Sequence, residues 1–159
     1  MNPRLYLETT IPSVLTARRG TLPETIAMQD SPRRWWNARL NDFCVFISAE
    51  VIREAARGDT EMAAARLETI QPFAILPITD DVLLLRDGIM RLGFIPPKAA
   101  ADAVHLAVAA CHAMDFLLTW NCSHINNGEH EKAHQRVCWA YGHELPVIVT
   151  PNELMPPEP

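Results

Sequence analysis

Residues 101–121, ADAVHLAVAACHAMDFLLTWN, place the strictest limit on what this chain can fold into. The stretch reads as a helix from Pro97 to Met114 and as a strand from Phe116 to Thr119. Alanine fills positions 99, 100, 101, 103, 107, 109, 110 and 113, so the helix is thin and apolar on most sides. Such a helix suits burial close against a sheet. Pro96 and Pro97 stand just before it, where a missing N–H does no harm. Asp102 is the only acid within it and falls near the positive helix end. His105, Ala109 and His112 continue from Asp102 as one narrow polar stripe. A carboxylate in such apolar surroundings has to be paired, hydrogen-bonded or metal-bound.

The rest of the chain supplies the sheet. Leu5–Leu7, Phe43–Ile47, Phe73–Leu76, Phe116–Thr119 and Pro146–Thr150 are short apolar runs separated by helical patterns. Continuous apolar strands alternating with helices indicate a parallel sheet covered on both faces. Ser48, Asp59 and Thr79 are expected helix caps, and Gly58, Gly93 and Gly142 are helix ends. From Pro23 to Leu40 the pattern is helical around Pro32. Either one helix kinks there or a second starts with Ser31 as its cap. One domain over residues 1–155 is expected, with a disordered tail at 156–159.

Composition narrows the class. With 48% hydrophobic and 21% charged residues, the chain is ordinary soluble globular material. No apolar run reaches the roughly 18 residues of a membrane span, and MNPRLYLETT lacks the apolar core of a signal peptide. A cytoplasmic location is therefore expected, with Cys44, Cys111, Cys122 and Cys138 reduced. The net charge of −5 argues against a broad nucleic-acid coat, but not against a local basic patch.

In parallel α/β folds, ligands sit at the carboxyl ends of the strands. Glu8 and Asn121 both stand at such ends, while Glu54 and Asp102 stand on helices that can border the same crevice. Three acids and an amide from four distant segments can line one oxygen-rich site. Mg²⁺ and Mn²⁺ prefer such ligands, and a site of this kind can activate water against a phosphodiester.

The segments LYLETT, SAEVIREAARG, ADAVHLAVAA and LLTWN resemble, in order and spacing, the four signature segments of PIN domains. The nearest resemblance is to VapC-like toxins of bacterial toxin–antitoxin pairs, and it runs from Leu5 to about Leu154. It implies a three-layer α/β/α fold with a central, mostly parallel five-stranded sheet. It also implies a metal-dependent endoribonuclease with Mg²⁺ or Mn²⁺, an RNA substrate and a small antitoxin partner. By this resemblance Glu8, Glu54, Asp102 and Asn121 are the catalytic and metal-binding positions. Two depart from the common pattern: Glu8 and Asn121 both replace the usual Asp. The loss of one charge at Asn121 keeps open the alternative of a degenerate, non-catalytic module that binds RNA or a protein. A phosphohydrolase with Glu8 as nucleophile fits less well, since Thr10 stands where that chemistry commonly has a second acid.

Other features carry weaker expectations. His105 is expected to be hydrogen-bonded and partly buried rather than a ligand. Cys122 and His124 lack a second pair to complete a zinc set. Thr9 and Thr10 either finish the first strand or bond a metal water or phosphate. Arg18, Arg19 and Lys98 are the candidate phosphate contacts. Arg33, Arg34 and Arg39 flank Trp35 and Trp36, at least one of which belongs to the core or an interface. Two adjacent tryptophans cannot easily both face inward on one helix, so a homodimer through that surface is expected.

Overall fold

The computed structural model describes residues 1–156, so positions 157–159 of the expected tail lie outside the described residues. The chain runs β1 (Arg4–Leu7), α1 (Thr10–Thr16), α2 (Pro23–Arg39), β2 (Cys44–Ser48), α3 (Ala49–Ala55), α4 (Thr60–Ile70), β3 (Ala74–Leu76) and α5 (Asp80–Met90). It continues with α6 (Ala100–Cys111), β4 (Phe116–Leu118), α7 (Glu131–Ala140) and β5 (Val147–Val149). The five strands lie in the order β3-β2-β1-β4-β5, and every neighbouring pair is parallel.

That order decides where the helices go. The chain steps from β1 through β2 to β3 in one direction, then crosses back to β4 and on to β5 in the other. Right-handed crossovers therefore put the helices of the two halves on opposite faces. Accordingly α1 packs against α2 and α4, whereas α5 packs against α6 and α7. The result is the expected three-layer α/β/α sandwich, with a sheet that is wholly parallel. Among the described residues no helix is long and apolar enough to cross a membrane.

The alanine-rich helix behaves as its composition demands. Every residue of α6 from Ala103 to Ala110 is buried, beside the equally buried Leu5, Leu7, Leu117 and Leu118 of the central strands. Its polar stripe is shorter than expected. His105 is fully buried, while His112 lies beyond the last turn and bonds the Pro77 carbonyl at 2.8 Å.

The ambiguity at Pro32 resolves as a single helix that runs through it. Ser31 caps nothing; its hydroxyl meets Asn152 Oδ1 at 2.5 Å. The two tryptophans correct the expected dimer surface. Trp35 is fully buried against Phe43, and Trp36 is half-buried with its ring 5.8 Å from that of Phe73. Each ring meets an aromatic partner from later in the chain, Phe43 or Phe73, so α2 presents no exposed pair of tryptophans.

Asp59 does cap α4, accepting from the Met62 backbone N–H at 3.0 Å. Asp59→Ala is expected to lower stability by about 1 kcal/mol in urea titration. Ser48, by contrast, makes no side-chain cap, because its hydroxyl is engaged inside the molecule.

Candidate metal centre

β1 and β4 are adjacent in the sheet but far apart in sequence, and the strand order reverses between them. This is where such sheets open a crevice. The Glu8 backbone N–H donates to the Leu118 carbonyl at 3.1 Å and holds the two strand ends side by side.

Glu8 is buried at this junction. Its Oε2 accepts from the Thr10 backbone N–H at 3.1 Å, from the Thr10 hydroxyl, and from the Thr119 hydroxyl at 2.7 Å. The same hydroxyls also accept: Thr10 Oγ1 from the Trp120 N–H at 2.8 Å, and Thr119 Oγ1 from the Asn121 N–H at 2.9 Å. Thr10 thus tethers the first acid, and Thr9 tethers the second.

Glu54 reaches the junction from the end of α3. Its Oε1 accepts from the Thr9 hydroxyl at 2.8 Å and lies 2.5 Å from His105 Nε2. The other ring nitrogen of His105, Nδ1, lies 2.7 Å from the Tyr6 hydroxyl, which is itself 2.7 Å from Ser48 Oγ. Glu8 Oε1 is 4.0 Å from His105 Nε2. Ligand atoms of Glu8, Glu54 and His105 all lie within 4.8 Å of one another, the one such group among the described residues.

Asp102 lies on α6 one turn before His105, on the same helical face. It is not part of the close group; its Oδ2 is 2.7 Å from His124 Nδ1. Asn121 Oδ1 accepts from the His124 backbone N–H at 3.0 Å. Of the four residues expected from sequence, the structure thus joins Glu8 to Glu54 through His105, and Asp102 to Asn121 through His124. Tyr6, Thr119 and the bridging role of His105 had no sequence signal, since each acts across the sheet. His124 carried a signal only as a zinc partner for Cys122, and neither belongs to a three-ligand group.

The three acids share one pattern. Protein hydrogen bonds among the described residues reach Oε2 of Glu8, Oε1 of Glu54 and Oδ2 of Asp102. The second oxygen of each acid accepts none of them. Each carboxylate is anchored by one oxygen and keeps the other available.

The electrostatics follow from burial and pairing. Burial pushes the Glu8 carboxyl above its ordinary pKa, with His105 and the threonine hydroxyls opposing it. Burial acts the same way on Glu54, but the His105 hydrogen bond and charge outweigh it and hold the carboxyl below its ordinary range. His105 is pushed down by burial and more strongly up by its bond to Glu54 and the charge of Glu8. The pair therefore favours a Glu54 carboxylate against a His105 imidazolium. Burial raises the Tyr6 hydroxyl well above its usual value, so it stays protonated.

This donor set fits a hard divalent cation. Glu8 and Glu54, whose ligand atoms converge, each keep an uncommitted oxygen of the type that Mg²⁺ and Mn²⁺ select, and Asp102 offers a third from outside that close group. His105 completes the close group with Glu8 and Glu54, and both of its ring nitrogens are engaged, by Tyr6 and by Glu54.

No family model and no curated protein matches the sequence. Solved structures do match in fold. VapBC2 from Rickettsia felis, solved bound to a DNA fragment from its promoter, is 13% identical at a TM-score of 0.58, over 92% of this chain and 97% of that one. VapC20 from Mycobacterium tuberculosis, a sarcin–ricin loop cleaving toxin, is 16% identical at a TM-score of 0.55, over 78% and 95%. The fold is that of the PIN-domain VapC toxins. FitAcB from Neisseria gonorrhoeae shares this PIN fold at 19% identity and a TM-score of 0.53, over 94% of this chain and 99% of that one.

Proposed function

We propose that the protein is a cytoplasmic, metal-dependent endoribonuclease of the VapC type, with a small antitoxin protein as partner. The observation that carries this reading is the set of three acids, each anchored through one oxygen at the open end of a PIN-like sheet. Glu8, Glu54 and Asp102 hold the cation, and Asn121 occupies the fourth position of the site. When bound, Mg²⁺ or Mn²⁺ supplies a polarised water for attack on the phosphodiester and stabilises the departing oxygen. Thr9, Thr10 and Thr119 fix the carboxylates in advance, so little reorganisation is left for the reaction itself. Lys98, in the turn that leads into α6, is the candidate phosphate contact four positions before Asp102. Arg19 is paired with Asp30 at 2.5 Å, so it is the less available of the candidate cations.

The experiment is cleavage of a structured RNA with Mn²⁺, with Mg²⁺ and with EDTA. Cleavage that requires the cation is expected. A protein that binds RNA equally in EDTA and cuts under none of these conditions instead supports the non-catalytic module, which the neutral Asn121 favours.

Likeness to VapBC2 supports the antitoxin partner. A homodimer through α2 is proposed on a different surface from the tryptophans: Leu22 just before the helix is 58% exposed, and Met28 within it 48%. Light scattering at micromolar concentration is expected to give twice the 17.8 kDa chain mass, and Leu22→Glu to give the monomer. A clean monomer for the unaltered chain rejects the dimer.

A further inference from the structure

We propose that His124 is a positioning residue for Asp102, and that Asn121 works through His124 rather than as a ligand. The inference rests on the nuclease reading above and assigns two of its residues.

The acids differ in what anchors them. Glu8 and Glu54 are tied by threonines beside β1 and β4 and by the buried His105. Asp102 stands in the first turn of α6, and its one side-chain partner among the described residues is His124. An ionised carboxylate can only accept, so the His124 Nδ1–H donates to Oδ2. That bond fixes the rotation of the carboxylate and leaves Oδ1 turned away from the imidazole.

His124 is in turn held by Asn121. The Asn121 side-chain carbonyl accepts from the His124 backbone N–H at 3.0 Å, and the Asn121 backbone carbonyl accepts from the Asn126 N–H at 2.8 Å. A side-chain carbonyl that closes a turn on its own backbone is what Asn does well, since it needs no charge. The Asn121 backbone N–H also donates to Thr119 Oγ1 at 2.9 Å, and Thr119 donates to Glu8 at 2.7 Å. A continuous run of bonds therefore links Glu8, Thr119, Asn121, His124 and Asp102. It sets the spacing between acids contributed by β1 and α6. Seen this way, the neutral residue at position 121 is a turn former whose output is the placement of a histidine.

Partners that orient a metal-ligating group are commonly worth 10- to 100-fold in metal affinity. The test is calorimetric Mn²⁺ titration of the full chain, with thermal unfolding as a control. His124→Phe keeps a ring and removes the donor; it is expected to weaken Mn²⁺ binding by about 10-fold or more with an unchanged unfolding temperature. His124→Asn places an amide N–H near the position of Nδ1 and is expected to restore most of the affinity. Asn121→Ala added to His124→Phe is expected to cost nothing further, because both act on one bond. Unaltered Mn²⁺ affinity in His124→Phe overturns the inference and leaves the nuclease reading standing. Equal loss in His124→Phe and His124→Asn also overturns it, since that points to ring packing. A native chain that takes up no Mn²⁺ overturns both.

Discussion

Glu8→Gln is expected to reduce metal-dependent RNA cleavage at least 100-fold, a loss of about 2.7 kcal/mol in transition-state stabilisation. The substitution is close to isosteric. Its amide oxygen can still accept from Thr10 and Thr119, so the junction between β1 and β4 stays closed. What disappears is the negative charge and the uncommitted oxygen that faces His105 from 4.0 Å. Hard cations are held mainly by charge, and this acid is the one whose burial outweighs its partners and leaves its carboxyl above the ordinary pKa. The apo variant should unfold at a temperature no lower than the native chain, because a buried charge has been removed. Full activity in Glu8→Gln would exclude the carboxylate from the metal site. Activity lost together with the fold would show that Glu8 is needed for structure first.

Acid is expected to weaken the fold through a different residue. His134 on α7 is fully buried, neither of its ring nitrogens has a protein partner among the described residues, and the His130 ring stands 6.1 Å away. Burial, with His130 beside it, pushes its pKa down to about 4. An unfolded histidine titrates near 6.5, so between pH 6.5 and 4 the unfolded chain binds the extra proton. The stability associated with neutral His134 is present above pH 6.5 and drains away as the pH falls towards 4, by at most about 3 kcal/mol. His105 has the opposite sign: its raised pKa favours the folded state at low pH and loses that contribution as pH rises. The test is therefore a difference. Urea titrations of the native chain and His134→Leu at several pH values should diverge below pH 6.5, with the variant the more stable at pH 5. Parallel curves would place the acid sensitivity elsewhere.

What the sequence revealed and what it withheld divide along a physical line. Leu5–Leu7 and Leu117–Leu118 are uninterrupted apolar runs, and Ala103–Ala110 is apolar apart from His105. Each pattern is local, so a parallel sheet with a buried helix is legible in the residues alone. Asp59 and Thr79 were legible as caps for the same reason: the donor each one satisfies is three residues away. Ser48 carries the same cap signal, yet its hydroxyl goes to Tyr6, a partner 42 residues distant that only the sheet brings near. Likewise the acids could be picked out singly from their places on strands and helices. That His105 would lock Glu54 and His124 would hold Asp102 depends on pairings across 51 and 22 residues. Trp35 and Trp36 misled because Phe43 and Phe73, which take up the two rings, arrive from beyond the helix.

The junction at Glu8 has a consequence for the life of the chain as it is made. Its bond to Thr119 spans 111 residues, so it closes one of the longest loops in the fold. Loops of that length are assembled late, after local helices have formed and their entropy has been spent. A nascent or prematurely ended chain that stops before β4 holds Glu8, Glu54 and Asp102 but lacks Thr119, which donates to Glu8, and His124, which holds Asp102. On the proposed nuclease reading, the completed acidic site would then arrive in one step near the end of synthesis.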